Sequence, residues 1–177
     1  IAAFKVAGWV SDLAKEEACV SVVMTGSATE FVAPLTFAAL SGNDVHTGMF
    51  GQVKEDPMTH ISLGRDADLV VIAPATANII AKLAGGLADD LLTTMVLATR
   101  AKVLVCPAMN SRMYSHPATQ KNLSILKELG YGIIEPASGM MACKEEGEGR
   151  LAEWDGVKEQ LAQSLSPQDL QGVRVLV

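Results

Sequence analysis

Apolar positions in "IAAFKVAGWVSDLAKEE" recur at helical spacing, with Phe4, Val6, Trp9, Val10 and Leu13 on one face and Lys5, Asp12 and Lys15 on the other. This predicts an amphipathic first helix. "CVSVVMT" (19–25) is short, β-branched and continuously apolar, the pattern of a strand buried on both faces, and "GSATEFV" after it offers a turn and a helix start. The rhythm repeats in "DLVVIAP" (68–74) with the helical "TANIIAKLAGG" and "DDLLTTMVLAT", and in "KVLVCP" (102–107) with "HPATQKNLSILKELG". "GIIEP" supplies a last short strand, and "WDGVKEQLAQSL" a last helix. Buried strands alternating with amphipathic helices predict an α/β domain, a parallel sheet with helices on both faces, in which ligands sit beyond the carboxyl ends of the strands.

Two segments break the rhythm, "HTGMFGQVKEDPMTH" (46–60) and "PASGMMACKEEGEGR" (136–150). Each is long, rich in glycine or charge and without periodicity, so each reads as a functional loop or local disorder. The tail "SPQDLQGVRVLV" has a linker-like start and a strand-like end, which sets expected boundaries at 1–165 for one domain and 166–177 for a linker and the opening of another. The first helix lacks a strand before it, so the domain's first strand is expected upstream of Ile1. No signal peptide is visible in "IAAFKVAGWV".

Composition narrows the classes. At 177 residues the chain is long enough for one substantial core, and its net charge of −6 gives no basic face for nucleic acid. Every long apolar run is interrupted by charge or proline, so no membrane span is expected. Cys19, Cys106 and Cys143 are an odd number without paired spacing, which argues against a disulfide framework or a metal site and for a reducing compartment, the cytoplasm. Cys19 and Cys106 adjoin apolar strands and read as core residues. Cys143 lies in a glycine-containing loop and reads as the accessible thiol.

The three strand ends share small residues and hydroxyls: Gly26, Ser27 and Thr29; Ala73 to Asn78; Pro107 and Ala108. Such ends let backbone N–H groups approach a flat or anionic ligand. Ordinary N-capping explains any one of them, and three at one sheet edge make a cofactor cleft an equal alternative. Neither G-x-G-x-x-G nor a P-loop occurs, which leaves a mononucleotide such as FMN open. His60 closes the long loop as a base, an orienting group or a cap, and His46 and His116 have weaker contexts. In "PAMNSRMY", Asn110 stands between Met109 and Met113, either as a helix cap or as a neutral donor in an apolar pocket. A neutral amide suits a carboxylate that is about to leave as carbon dioxide, because a cation there would stabilise the charged ground state.

Taken in order, "MTGSATEFV", "MTHISL", "APATANIIAKLAGGLADDLL", "PAMNSRMY" and "ACKEEGEGR" resemble the homo-oligomeric flavin-containing cysteine decarboxylases, and among them the phosphopantothenoylcysteine (PPC) decarboxylases of coenzyme A biosynthesis. The resemblance runs from Ile1 to about Arg150. It implies a flavodoxin-like three-layer sandwich that binds FMN and decarboxylates PPC to phosphopantetheine, as a homotrimer or a dodecamer of trimers. It assigns catalysis to His60, Asn110 and Cys143, and substrate contacts to Asn110, Met109, Met113 and Ala142. It assigns FMN contacts to Thr25, Gly26, Ser27 and Phe31 and to Thr76, Ala77, Asn78 and Ile79. The flavin would oxidise the substrate's thiol to a thioaldehyde, Asn110 would hold the departing carboxylate, and Cys143 would protonate the enethiolate during its reduction. "DLQGVRVLV" is similar to the start of the phosphopantothenate–cysteine ligase domain that follows the decarboxylase in many bacteria. Tyr114 replaces the family's usual tryptophan, and Lys144 its usual glycine after the cysteine. Relatives acting on a peptide's terminal cysteine, dipicolinate synthase subunits and non-catalytic flavin-binding regulators are the alternatives within the resemblance.

Overall fold

The computed structural model describes residues 1–49, 58–140 and 145–166. Helix α1 (Ala3–Lys15) leads to β1 (Val22–Val23), the one-turn α2 (Gly26–Thr29), α3 (Pro34–Ser41) and β2 (Val45–His46). Then follow α4 (Thr59–Asp66), β3 (Leu69–Ala75), α5 (Ala77–Ala84), α6 (Leu91–Ala98) and β4 (Lys102–Pro107). The one-turn α7 (Ser111–Tyr114), α8 (Pro117–Glu128), β5 (Gly132–Ile133), β6 (Ala137–Met140), β7 (Glu146–Arg150) and α9 (Trp154–Leu165) complete the described chain.

All the central pairings are parallel: β1 with β2, and β4 between β3 and β5. Strands β3 and β4 are continuously apolar because both of their faces are covered. Val70, Ile72, Val103 and Val105 point into one core with Ile80 and Leu83 of α5, Met95 and Val96 of α6, and Leu123 and Leu126 of α8. The alternate residues Leu104 and Cys106, with Leu69 and Val71 beside them, point into a second core with Trp9 of α1 and Val157 and Leu161 of α9. The two-residue period of a strand thus divides one sequence run between two helical layers, giving the expected α/β three-layer sandwich. Fully buried residues such as Ile80, Val105 and Leu126 each contribute on the order of 2 kcal/mol of burial. On the second face the rings of Trp9 and Trp154 stack at 5.3 Å and join α1 to α9. A smaller cluster of Val10, Met24 and Phe37 seats α3 against β1 and β2.

Several expectations change. Phe4 is not on the buried face of α1: it is 61% exposed, and Ala3, Trp9 and Val10 are the buried residues. The strand expected over 19–25 forms its ladder only at Val22–Val23, and Cys19, expected in the core, is exposed. Cys106 is fully buried as expected. The aperiodic 136–150 segment contains an antiparallel hairpin, β6 with β7, on either side of residues 141–144. Cys143, Ala142 and Lys144 lie outside the described residues, as does the tail beyond 166.

Candidate functional site

Sequence and fold meet at the carboxyl ends of β1, β3 and β4. Thr25 follows β1 and caps α2, its hydroxyl oxygen accepting from the Ala28 N–H at 3.2 Å. Thr76 follows β3 and caps α5 in the same way, accepting from the Ile79 N–H at 3.3 Å. The ends of β3 and β4 are tied together by the Ala108 N–H donating to the Ala75 carbonyl at 2.9 Å. The next residue along, Met109, donates its N–H to the Gly149 carbonyl of β7 at 2.9 Å.

Gly149 explains how the hairpin comes so close. Its φ is +141°, and a Cβ there would stand 2.2 Å from the Met109 carbonyl oxygen, so only glycine fits. The hairpin is thereby fixed against the segment that presents Asn110.

Asn110 satisfies both of its sequence readings. Its side-chain oxygen caps α7 by accepting from the Arg112 N–H at 2.9 Å, which turns the NH2 group away from the helix. That NH2 group donates to Oε2 of Glu145, the residue immediately before β7, at 2.9 Å. The half-buried Met109 packs on the first core, whereas Met113 is 49% exposed and lines a cavity of about 370 Å³ with Ala77, Arg112, His116 and Thr119.

A second cavity, about 250 Å³, opens beside the β1 end, between Met24–Gly26, Thr47–Met49 and Asp89–Leu92. Its floor is set by Asp90, which caps α6 by accepting from the Thr93 N–H at 2.8 Å, while Lys82 bridges Asp89 at 2.8 Å and Asp90 at 3.1 Å. Burial raises the Asp90 carboxyl, but Thr93 and Lys82 together hold it below its ordinary value. The hydrogen bond from Lys82 to Asp89, with that to Asp90, raises the Lys82 ammonium.

The other candidates separate. His60 lies half-buried in the first turn of α4, which packs on α6. Gly64 permits that packing, since a Cβ there would come within 3.0 Å of the Met95 carbonyl oxygen. His116 is a cap: its Nδ1 accepts from the Ala118 N–H at 3.2 Å. Gly26, Ser27 and Asn78 are exposed and Ala77 half-buried around the two threonine caps, and Phe31 is 59% exposed. Ile79 is a core residue whose N–H is bonded to the Thr76 hydroxyl oxygen.

Tyr114, the departure from tryptophan, is buried and donates its hydroxyl to Glu135 at 2.6 Å, and Lys127 bridges the same carboxylate at 3.0 Å. Burial, reinforced by the Glu135 bond, pushes the Tyr114 phenol up. Burial raises Glu135, yet Tyr114 and Lys127 outweigh it and hold the carboxyl below its ordinary value. Among the described residues no cluster of His, Cys, Asp or Glu could hold a metal, and no helix is long and apolar enough to cross a membrane.

Sequence reasoning missed Glu145, Glu135 and Gly149 as parts of the site. Glu145 was visible only as one of two glutamates after Cys143, and Gly149 only as one glycine of a glycine-rich loop.

A parallel sheet between helical layers, with hydroxyl-capped strand ends and an amide presented at one of them, defines an α/β protein that binds a nucleotide-type cofactor at its sheet edge. The chain belongs to the Flavoprotein family, whose model matches residues 1–166. It is 48% identical over 157 residues to the coenzyme A biosynthesis bifunctional protein CoaBC of Bacillus subtilis, covering 89% of this chain and 39% of that protein. It is 46% identical over 183 residues to CoaBC of Mycolicibacterium smegmatis, covering 100% of this chain and 44% of that protein. The chain therefore spans less than half the length of these relatives. Among solved structures it is similar to a PPC decarboxylase variant complexed with pantothenoylaminoethenethiol, at TM-score 0.79 and 33% identity over 92% of this chain and 91% of that one. It is equally similar in fold to the FMN-dependent cysteine decarboxylase SpaF, at TM-score 0.79 and 32% identity over 94% and 92% of the two chains.

Proposed function

We propose that this chain is the decarboxylase part of a bifunctional coenzyme A biosynthesis protein, converting PPC to phosphopantetheine with FMN, in the cytoplasm. The observation that carries the reading is the Asn110 amide. Its oxygen is fixed by the α7 cap and its NH2 already holds a carboxylate, that of Glu145, at 2.9 Å. A neutral donor with that geometry can hold the substrate's carboxylate without stabilising its charge as strongly as a cation would. The CoaBC relatives and the PPC decarboxylase structure supply the substrate class.

The residues present fit FMN. Among the described residues, and apart from Gly26's own chain neighbours and helix backbone, no atom lies within 4 Å of where a Cβ on Gly26 would stand, which leaves room for a ligand there. The nearby cavity offers apolar walls at Met24, Met49, Leu91 and Leu92. Thr25 and Thr76 cap through oxygen alone, leaving each O–H to donate. Thr25, Gly26, Ser27, Thr76, Ala77 and Asn78 would hold the cofactor, with Phe31 and Ile79 at the margins. FMN held there would supply the two-electron redox chemistry at the substrate's thiol. Asn110 holds the carboxylate until its C–C bond breaks, Met109 and Met113 wall it, and His60 takes or orients the thiol proton. Cys143, with Ala142 beside it, gives a proton to the enethiolate as the electrons return, so the sequence is redox-neutral overall. The protein works as a homotrimer or a dodecamer of trimers, a reading supported by Phe31 and Leu35, which are 59% and 78% exposed.

Incubating the FMN-loaded protein with PPC and weighing the products tests the reading. Carbon dioxide and saturated phosphopantetheine are expected, and Cys143→Ser should release carbon dioxide but accumulate the unsaturated enethiol. Unchanged PPC beside turnover of a peptide with a terminal cysteine would instead make this a peptide decarboxylase; bound FMN with neither turned over would make it a binding module.

A further inference from the structure

We propose that Glu145 is an internal carboxylate that occupies the Asn110 amide until the substrate's own carboxylate displaces it, and that returns to the amide once carbon dioxide has left. The proposal rests on the decarboxylase reading above.

Three observations carry it. The Asn110 amide is oriented, because its oxygen is bonded to the Arg112 N–H and its NH2 therefore faces the hairpin. Glu145 Oε2 sits on that NH2 at 2.9 Å. The glutamate is also held in place by its backbone: Glu146 pairs with Met140 across the hairpin, and the Gly149 carbonyl accepts from the Met109 N–H, next in the chain to Asn110. The strand pairing and the close approach at Gly149 thus bring this exposed contact to the end of β4.

A substrate carboxylate arriving at the same NH2 group would stand beside Glu145, and two carboxylates that close repel strongly. One must leave. Displacing Glu145 weakens ground-state binding of the carboxylate, and loss of carbon dioxide leaves no orphaned donor, because Glu145 takes the amide back. The exchange therefore opposes the charged ground state selectively. Phosphopantetheine, which has no carboxylate, leaves the Glu145 contact undisturbed.

The test uses two ligands that lack the oxidisable thiol, phosphopantothenoylserine and its carboxylate-free counterpart phosphopantothenoylethanolamine, titrated by calorimetry into the FMN-loaded protein. Glu145→Ala should tighten the serine ligand about tenfold and leave the ethanolamine ligand unchanged. In an Asn110→Ser background, which keeps a capping side chain, Glu145→Ala should no longer alter the serine ligand. Equal shifts for both ligands would assign Glu145 a merely structural role, and tightening that persists in Asn110→Ser would reduce it to long-range repulsion. Either result overturns the exchange, as does an unchanged serine ligand, while turnover of PPC by the wild type would keep the decarboxylase reading. If the wild type binds neither ligand and does not turn over PPC, both readings fall.

Discussion

At the scale of single residues, the side chains at the strand ends spend some of their polar atoms on the fold and, in the proposed function, the rest on ligand. Asn110 caps a helix with its oxygen and presents its nitrogen, and Thr25 and Thr76 cap with oxygen and keep a hydrogen. Tyr114 keeps the aromatic bulk of the motif but adds a hydroxyl, which the fold satisfies with Glu135. The cysteines separate by environment. Burial pushes the Cys106 thiol up to about 12, whereas Cys19 is exposed. With a thiol reagent at pH 8, Cys19 should label in the native protein and Cys106 only after unfolding, as peptide mass mapping would show; rapid native labelling of Cys106 would contradict its place in the second core.

At the scale of elements, two devices hold the site's walls. Asp90 caps α6 and anchors Lys82, and Asp90→Ala should cost about 1–2 kcal/mol in denaturant unfolding at pH 7. Its carboxyl is held below the ordinary 3.8 in the folded state, so this stabilisation is complete above that value and fades as the pH falls through the lowered one. The gap between variant and wild type should therefore narrow in acid. Gly149→Ala meets both an unfavourable φ and the Met109 carbonyl, so it should lower Tm by several degrees and impair turnover by at least tenfold; an unperturbed variant would show that the hairpin is not fixed there. Strands β3 and β4 were legible in the sequence because burial on both faces makes them continuously apolar. The β6–β7 hairpin was not, because "ASGM" and "EGEGR" carry no strand pattern and what holds them is backbone bonding to residues far away in sequence. Phe4 misled because helical spacing places a residue on a face without saying how far the covering layer extends. Asn110 was legible because a strand end followed by a capping residue is local, whereas its contact with Glu145 spans thirty-five residues.

At the scale of the whole molecule, the two cores lie on either side of the β3–β4–β5 parallel sheet, and the family match spans residues 1–166. The proposed trimeric assembly would cover the exposed apolar side chains of Phe31 and Leu35 with neighbouring copies; on that proposal sedimentation should give a multiple of three protomers, and a monomer at micromolar concentration would contradict it. The central claim, that a neutral amide at the end of β4 holds the carboxylate that leaves, is tested most directly by single-turnover carbon dioxide release from PPC by Asn110→Asp. Aspartate preserves the cap on α7 but can neither donate to a carboxylate nor avoid repelling one. With FMN absorption and Tm unchanged, release should slow by at least about a hundredfold; release at the wild-type rate would show that Asn110 is a helix cap and nothing more.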